Sequence, residues 1–83
     1  MAARKSIYTK DYAVFVETLR EMRVERGVSQ VDLAKGLGVT QSFISKCERG
    51  ERRLDCIELR NWCRVLQMSL VEFAKELESE LTP

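Results

Sequence analysis

The sequence predicts an all-α fold of five helices in one compact domain, and three observations carry that prediction. Composition is the first: 83 residues, 45% hydrophobic and 33% charged, with one Pro and four Gly, suit a compact helical chain and argue against disorder or a β-sandwich. Apolar residues recurring at helical spacing are the second. The third is a set of short oxygen-bearing side chains standing directly before those apolar runs, where helix N-caps belong. At this length residues 1–83 make one domain, burial is marginal, and self-association is a common remedy.

The first helix carries Tyr12, Phe15, Val16, Leu19 and Met22 at i, i+3, i+4, i+7 and i+10, one apolar stripe from about Thr9 to Arg26. Gly27, tolerant of positive φ, stops it. The second, fourth and fifth helices start at Ser29 with Asp32, Asp55 with Glu58, and Ser69 with Glu72. Each pair sets a cap three residues before a carboxylate, so that orphan N–H groups of the first turn find acceptors, worth about 1 kcal/mol per cap. The third helix begins at Thr40 and ends at Gly50. Only Leu37, Gly38 and Val39 separate it from the second. A corner so short forces the two helices to cross at roughly 90–120°, a helix-turn-helix over about residues 29–49.

The spaced residues of "SQVDLAKGLGVTQSFISKCERGERR" have a relative. Gln30, Leu33, Ala34, Leu37, Gly38, Val39, Ile44 and Cys47 sit where phage repressor, Cro and XRE-like regulators have their structural positions, and the chain resembles that family from about Leu19 to Phe73. The resemblance implies a compact domain of the phage-repressor type that regulates transcription by binding DNA. Within it, Ala34 is small where the two helices cross, Gly38 turns the chain, and Leu33, Leu37, Ile44 and Cys47 bury the inner faces. A large side chain at Ala34 is expected to unfold the domain by overpacking.

At 100° per residue with Ile44 as zero, Cys47 and Glu48 lie within about 60° of it, while Ser42, Ser45, Lys46 and Arg49 fall between about 100° and 160°. With Gln41 in the first turn, this outward flank offers amide, hydroxyl and cationic groups of the kind that major-groove base edges pair with. The expected base contacts are Gln41, Ser42, Ser45 and Lys46: Gln41 suits adenine N6 and N7, Lys46 suits guanine O6 or N7, and the serines are less selective. On an isolated helix the same flank would read as solvated; within this motif it reads as base-contacting. Phe43, near −100°, has two readings, packing on the preceding helix or touching a thymine methyl.

Phosphate contacts are expected from Gln30, whose amide the resemblance places on a backbone phosphate beside a helix N-terminus, and from Arg49, Arg52 and Arg53 leaving the recognition helix. Glu48 faces inward and would be costly if buried alone. The resemblance pairs it with an arginine of the first helix, here Arg23, as a structural ion pair.

Net charge is +1, unevenly spread: residues 1–64 hold 13 Lys+Arg against 9 Asp+Glu, and residues 65–83 hold 1 against 4. A polyanion would meet the first part. Arg4 and Lys5 read either as an arm reaching DNA or as solubilising charge. Cys47, Cys56 and Cys63 are an odd set without CxxC spacing, so neither a disulfide framework nor a zinc site is indicated, and all three are expected in the core. There is no His, and the carboxylates are spread over caps and solvent faces, so neither an enzyme nor a metal or other cofactor is expected. No apolar run approaches the roughly 18 residues of a membrane span, and "MAARKSIYTK" lacks a signal-peptide h-region, which points to a cytoplasmic protein without membrane contact.

The last two helices hold more apolar surface than one small domain uses. Leu59, Trp62, Leu66, Leu70 and Phe73 are assigned to the core, leaving Ile57, Val65, Val71, Leu77 and Leu81 for a symmetric homodimer through about residues 55–81. Such a pair would present two recognition helices to successive major grooves about 34 Å apart, matching double-stranded DNA with inverted half-sites. Nothing follows Pro83 that could hold an effector, so no small-molecule effector is expected. The size suits a phage regulator or a restriction-modification controller alike. Gln67 departs from the family, which has a helix-ending Gly there. The competing function class is a protein-binding helical adaptor or antitoxin.

Overall fold

Each helix begins where a side chain can accept from its first turn. A computed structural model describes residues 9–82 and contains, among them, five helices: α1 Lys10–Glu25, α2 Gln30–Leu37, α3 Gln41–Glu48, α4 Cys56–Val65 and α5 Leu70–Leu81. Thr9, Ser29, Thr40, Asp55 and Ser69 are the N-caps, each side chain accepting from the backbone N–H three residues on. Asp55–Glu58 and Ser69–Glu72 are reciprocal, the glutamate returning to the cap N–H at 2.9 and 2.7 Å. At Ser29 the bond runs one way, from Asp32 N at 3.0 Å, since an aspartate is one methylene shorter than the glutamate of the reciprocal caps. Arg4 and Lys5 lie outside the described residues.

The corner between α2 and α3 is made by Gly38 in the left-handed conformation, φ 72°, with Val39 N donating to Ala34 O at 3.0 Å. The chain leaves α4 in the same backbone conformation without a glycine: Gln67 has φ 62°. Arg26, just past the end of α1, supports that turn by donating from Nη1 to Leu66 O and Gln67 O, both at 3.0 Å. It thereby satisfies carbonyls that the end of α4 leaves without partners.

The helices pack as α1 on α5 and α3, α2 on α3 and α4, and α4 on α5. Between them Leu19, Leu33, Ile44, Trp62, Leu66 and Phe73 are buried, with Phe15 edge-on to Phe73 at 5.8 Å. A tight helix approach lies at Gly36, close along the chain to Ala34: a Cβ there would meet Val65 Cγ1 at 2.8 Å, which brings α2 against α4. Ala34 itself is buried.

Several expected placements change. Val65 and Leu77 pack against the chain's own core and are not spare surface. Val65 is taken up because Gly36 leaves it a space that no pattern within α4 reveals. Leu59 and Leu70 are half-buried. Cys56 is exposed, unlike Cys47 and Cys63, because the first position of a helix projects beyond the packed turns. Ile57, Val71 and Leu81 stay exposed, and Val24 and Val31 join them. No helix of the described residues is long and apolar enough to cross a membrane.

Candidate nucleic-acid interface

The short corner that begins at Gly38 presents α3 with one flank out. Ile44, Cys47 and Glu48 are buried; Gln41, Ser42, Lys46 and Arg49 are exposed, and Ser45 is half-buried. Phe43 is half-buried against the core, with the Arg52 guanidinium 4.8 Å above its ring, so of its two readings packing is the one seen.

Glu48 is the anchor of this flank. Arg23 holds it through two hydrogen bonds, Nε to Oε2 at 2.6 Å and Nη2 to Oε1 at 3.1 Å, and the two side chains are 10% and 3% exposed. The remaining guanidinium edge donates to Val28 O at 2.8 Å, so the pair is both charge-matched and hydrogen-bonded, as burial requires. Gln30 Nε2 also donates to Glu48 Oε1 at 3.0 Å, and Gln30 Oε1 accepts from Gln41 Nε2 at 3.3 Å. A continuous line of polar contacts therefore runs from α1 through the buried carboxylate and the start of α2 to the first residue of α3.

This line gives Gln30 a further task. The resemblance places its amide on a phosphate; here one N–H goes to Glu48, the carbonyl holds Gln41, and a second N–H of the same amide is left over. Gln30 orients its neighbour. Sequence spacing could not show this, because the three residues come from two helices and pair only once α2 and α3 have crossed.

The three exit arginines have partners in the fold. Arg49 donates to Glu51 at 2.8 and 3.2 Å and to the Ser45 hydroxyl. Arg52 donates to both Glu58 oxygens, at 2.9 and 3.0 Å, and to Arg53 O at 2.6 Å. The Arg53 guanidinium lies 4.6 Å over the Tyr12 ring. Glu51 and Glu58 are thus charged neighbours of the exit, Glu58 in addition to its place in the α4 cap. Both carboxyls are held below the usual range, first by the hydrogen bond from their arginine.

Burial pushes the Cys47 and Cys63 thiols up to about 11, so neither is a ready nucleophile. Among the described residues no group of His, Cys, Asp and Glu is arranged to hold a metal.

Residues 19–73 match the helix-turn-helix family model. An XRE-family like protein from Pseudomonas syringae pv. tomato str. DC3000 shares 38% identity, with both chains covered in full and a TM-score of 0.82. The wild-type restriction-modification controller protein C.Esp1396I shares 27% identity over 90% of this chain and 99% of its own, with a TM-score of 0.82. The same controller has been solved as a tetramer with its natural 35 base-pair operator, at 27% identity, covering 90% of this chain and 99% of that one, with a TM-score of 0.82. A search of curated proteins returned no match. Its exposed polar flank on α3, its left-handed corner and the span of the match together make this chain a member of the XRE-type helix-turn-helix family.

Proposed function

We propose that this protein is a DNA-binding transcription regulator that acts as a homodimer on double-stranded DNA with inverted half-sites. The observation that carries the reading is the polar flank of α3, exposed beyond a tight corner, with Gln41 steadied by Gln30. An amide held in this way loses less freedom on pairing with a base edge than a mobile one. In this reading Gln41, Ser42, Ser45 and Lys46 meet base edges, and the second Gln30 N–H and the exit arginines meet phosphates.

Two-fold pairing is supported by Ile57 at 67% and Val71 at 63% exposure, large apolar side chains that a lone small domain gains by covering. With Leu81 they lie on α4 and α5. Val65 and Leu77 contribute only the part of their surface that the core leaves open. The operator complex of the controller relative supports the choice of duplex DNA as partner. The reading needs no small-molecule effector, and it places the protein in the cytoplasm, where such operators are.

Selection of bound sequences from a random duplex pool tests all of it at once. The expected result is an inverted repeat with half-site centres about one helical turn apart, bound by a dimer. If a dimer neutralises roughly six phosphates, log K falls against log salt with a slope near −5. No enrichment, with binding indifferent to salt, would instead favour a protein-binding adaptor.

A further inference from the structure

The cations at the end of α3 differ in how firmly the protein holds them. Arg52 is fixed from several sides: both Glu58 oxygens, the Arg53 carbonyl and the Phe43 ring engage it. Glu58 is itself half-buried and accepts from Asp55 N at 2.9 Å as part of the α4 cap. Among the described residues Arg49 has Glu51 and the Ser45 hydroxyl as partners.

The Arg49 and Glu51 side chains are 53% and 52% exposed, a setting in which an ion pair adds little stability and exchanges readily. Glu51 is held in place by its backbone, whose N–H donates to Lys46 O at 2.9 Å. Its carboxylate also feels the Lys46 charge. One anion thus pairs with Arg49 and lies within the field of Lys46.

On the DNA-binding reading above, we infer that Glu51 sets affinity by occupying Arg49 in place of a backbone phosphate, so that DNA must displace it to bind. A phosphate offers the guanidinium the same bidentate oxygen geometry with comparable charge, so the exchange swaps one pair for another. The Ser45 hydroxyl, held by the same guanidinium, is released toward the bases in that step. Glu51 then stands unpaired near the duplex and gathers a cation, which lowers the net counterion release and flattens the salt dependence. Arg52, held at more points, keeps its Glu58 partner when it meets a phosphate.

The test is fluorescence anisotropy with a labelled duplex recovered by the selection, at about 50 and about 200 mM salt, a range over which phosphate contacts respond strongly. Glu51→Gln should tighten binding about two- to fivefold per recognition helix at the lower salt and steepen the salt slope, in keeping with the strength of exposed pairs. Glu21→Gln removes the same charge among Glu17, Glu25 and Glu80 and should leave affinity unchanged. In an Arg49→Gln background the effect of Glu51→Gln should vanish.

Equal binding by Glu51→Gln would overturn the inference, and weaker binding would overturn it and make the carboxylate a DNA ligand, as in acceptance from cytosine N4. Tightening that persists without Arg49 would overturn it in favour of net charge alone. A wild-type chain that recovers no duplex overturns the DNA-binding reading as well, an outcome distinct from a binding wild type with an indifferent Glu51→Gln.

Discussion

Arg23 and Glu48, 25 residues apart in the chain, meet in a buried two-bond ion pair that joins α1 to the last turn of the recognition helix. Glu48 also receives Gln30, so the same carboxylate anchors the helix and, through Gln30, the orientation of Gln41.

Glu48→Ala leaves the Arg23 charge buried without its partner and is expected to destabilise the fold by roughly 3–5 kcal/mol, read as a lower urea midpoint at an unchanged slope. A change near zero would show that Arg23 reaches solvent without cost.

Gly36→Ala should also destabilise, although alanine favours helix by about 1 kcal/mol over glycine. The added Cβ meets Val65 Cγ1 at 2.8 Å, and a β-branched side chain has few rotamers with which to yield. Overpacking of this kind costs about 1–3 kcal/mol. Val65→Ala in the same chain should recover part of the loss, measured as non-additivity in a thermal or urea cycle.

Gln67→Gly should act in the opposite direction. A non-glycine residue in the left-handed region costs about 1–2 kcal/mol, against about 0.5–1 kcal/mol of extra chain entropy for glycine, so the net gain is about 0.8 kcal/mol at the midpoints and at most about 1.5 kcal/mol. An unchanged or lower melting temperature would mean that the Arg26 bonds to Leu66 O and Gln67 O already offset the strain.

Glu58 links stability to pH. Its folded pKa is lowered, first by the Arg52 hydrogen bond and then by Asp55 N. The unfolded chain therefore binds the proton more tightly, and the contribution is present above the unfolded value of about 4.3 and lost as pH falls through the folded one. Carboxyl NMR titration should place the Glu58 midpoint below that value, and Arg52→Gln should raise it. A midpoint unmoved by Arg52→Gln would assign the shift to the cap alone.

Much of this molecule is readable from short stretches. Four of the five caps, the corner at Gly38 and the outward flank of α3 all follow from residues within a turn or two of one another. The angular placement of Ile44, Cys47 and Glu48 inside and Ser42, Lys46 and Arg49 outside matches their burial. The misplaced residues have a common cause. Periodicity marks Val65 and Leu77 as apolar but cannot say that a glycine on α2 or a neighbouring helix will cover them. Cys56 stands at the first position of its helix, where the turn that would cover it is missing.

Charge is where local reading stops. Arg49, Arg52 and Arg53 are a run of cations in the sequence, yet their partners are Glu51, Glu58 and the Tyr12 ring, the last 41 positions away by residue number. The sequence by itself determined how many helices form, where they start and which flank of the third faces out, because hydrogen-bond caps and the 3.6-residue period act over a few residues. Only the tertiary structure decided which cations remain exchangeable and which glutamines line up. A guanidinium commits to a carboxylate within about 3 Å, and Arg23 comes that near Glu48 only after α1 has packed against α3.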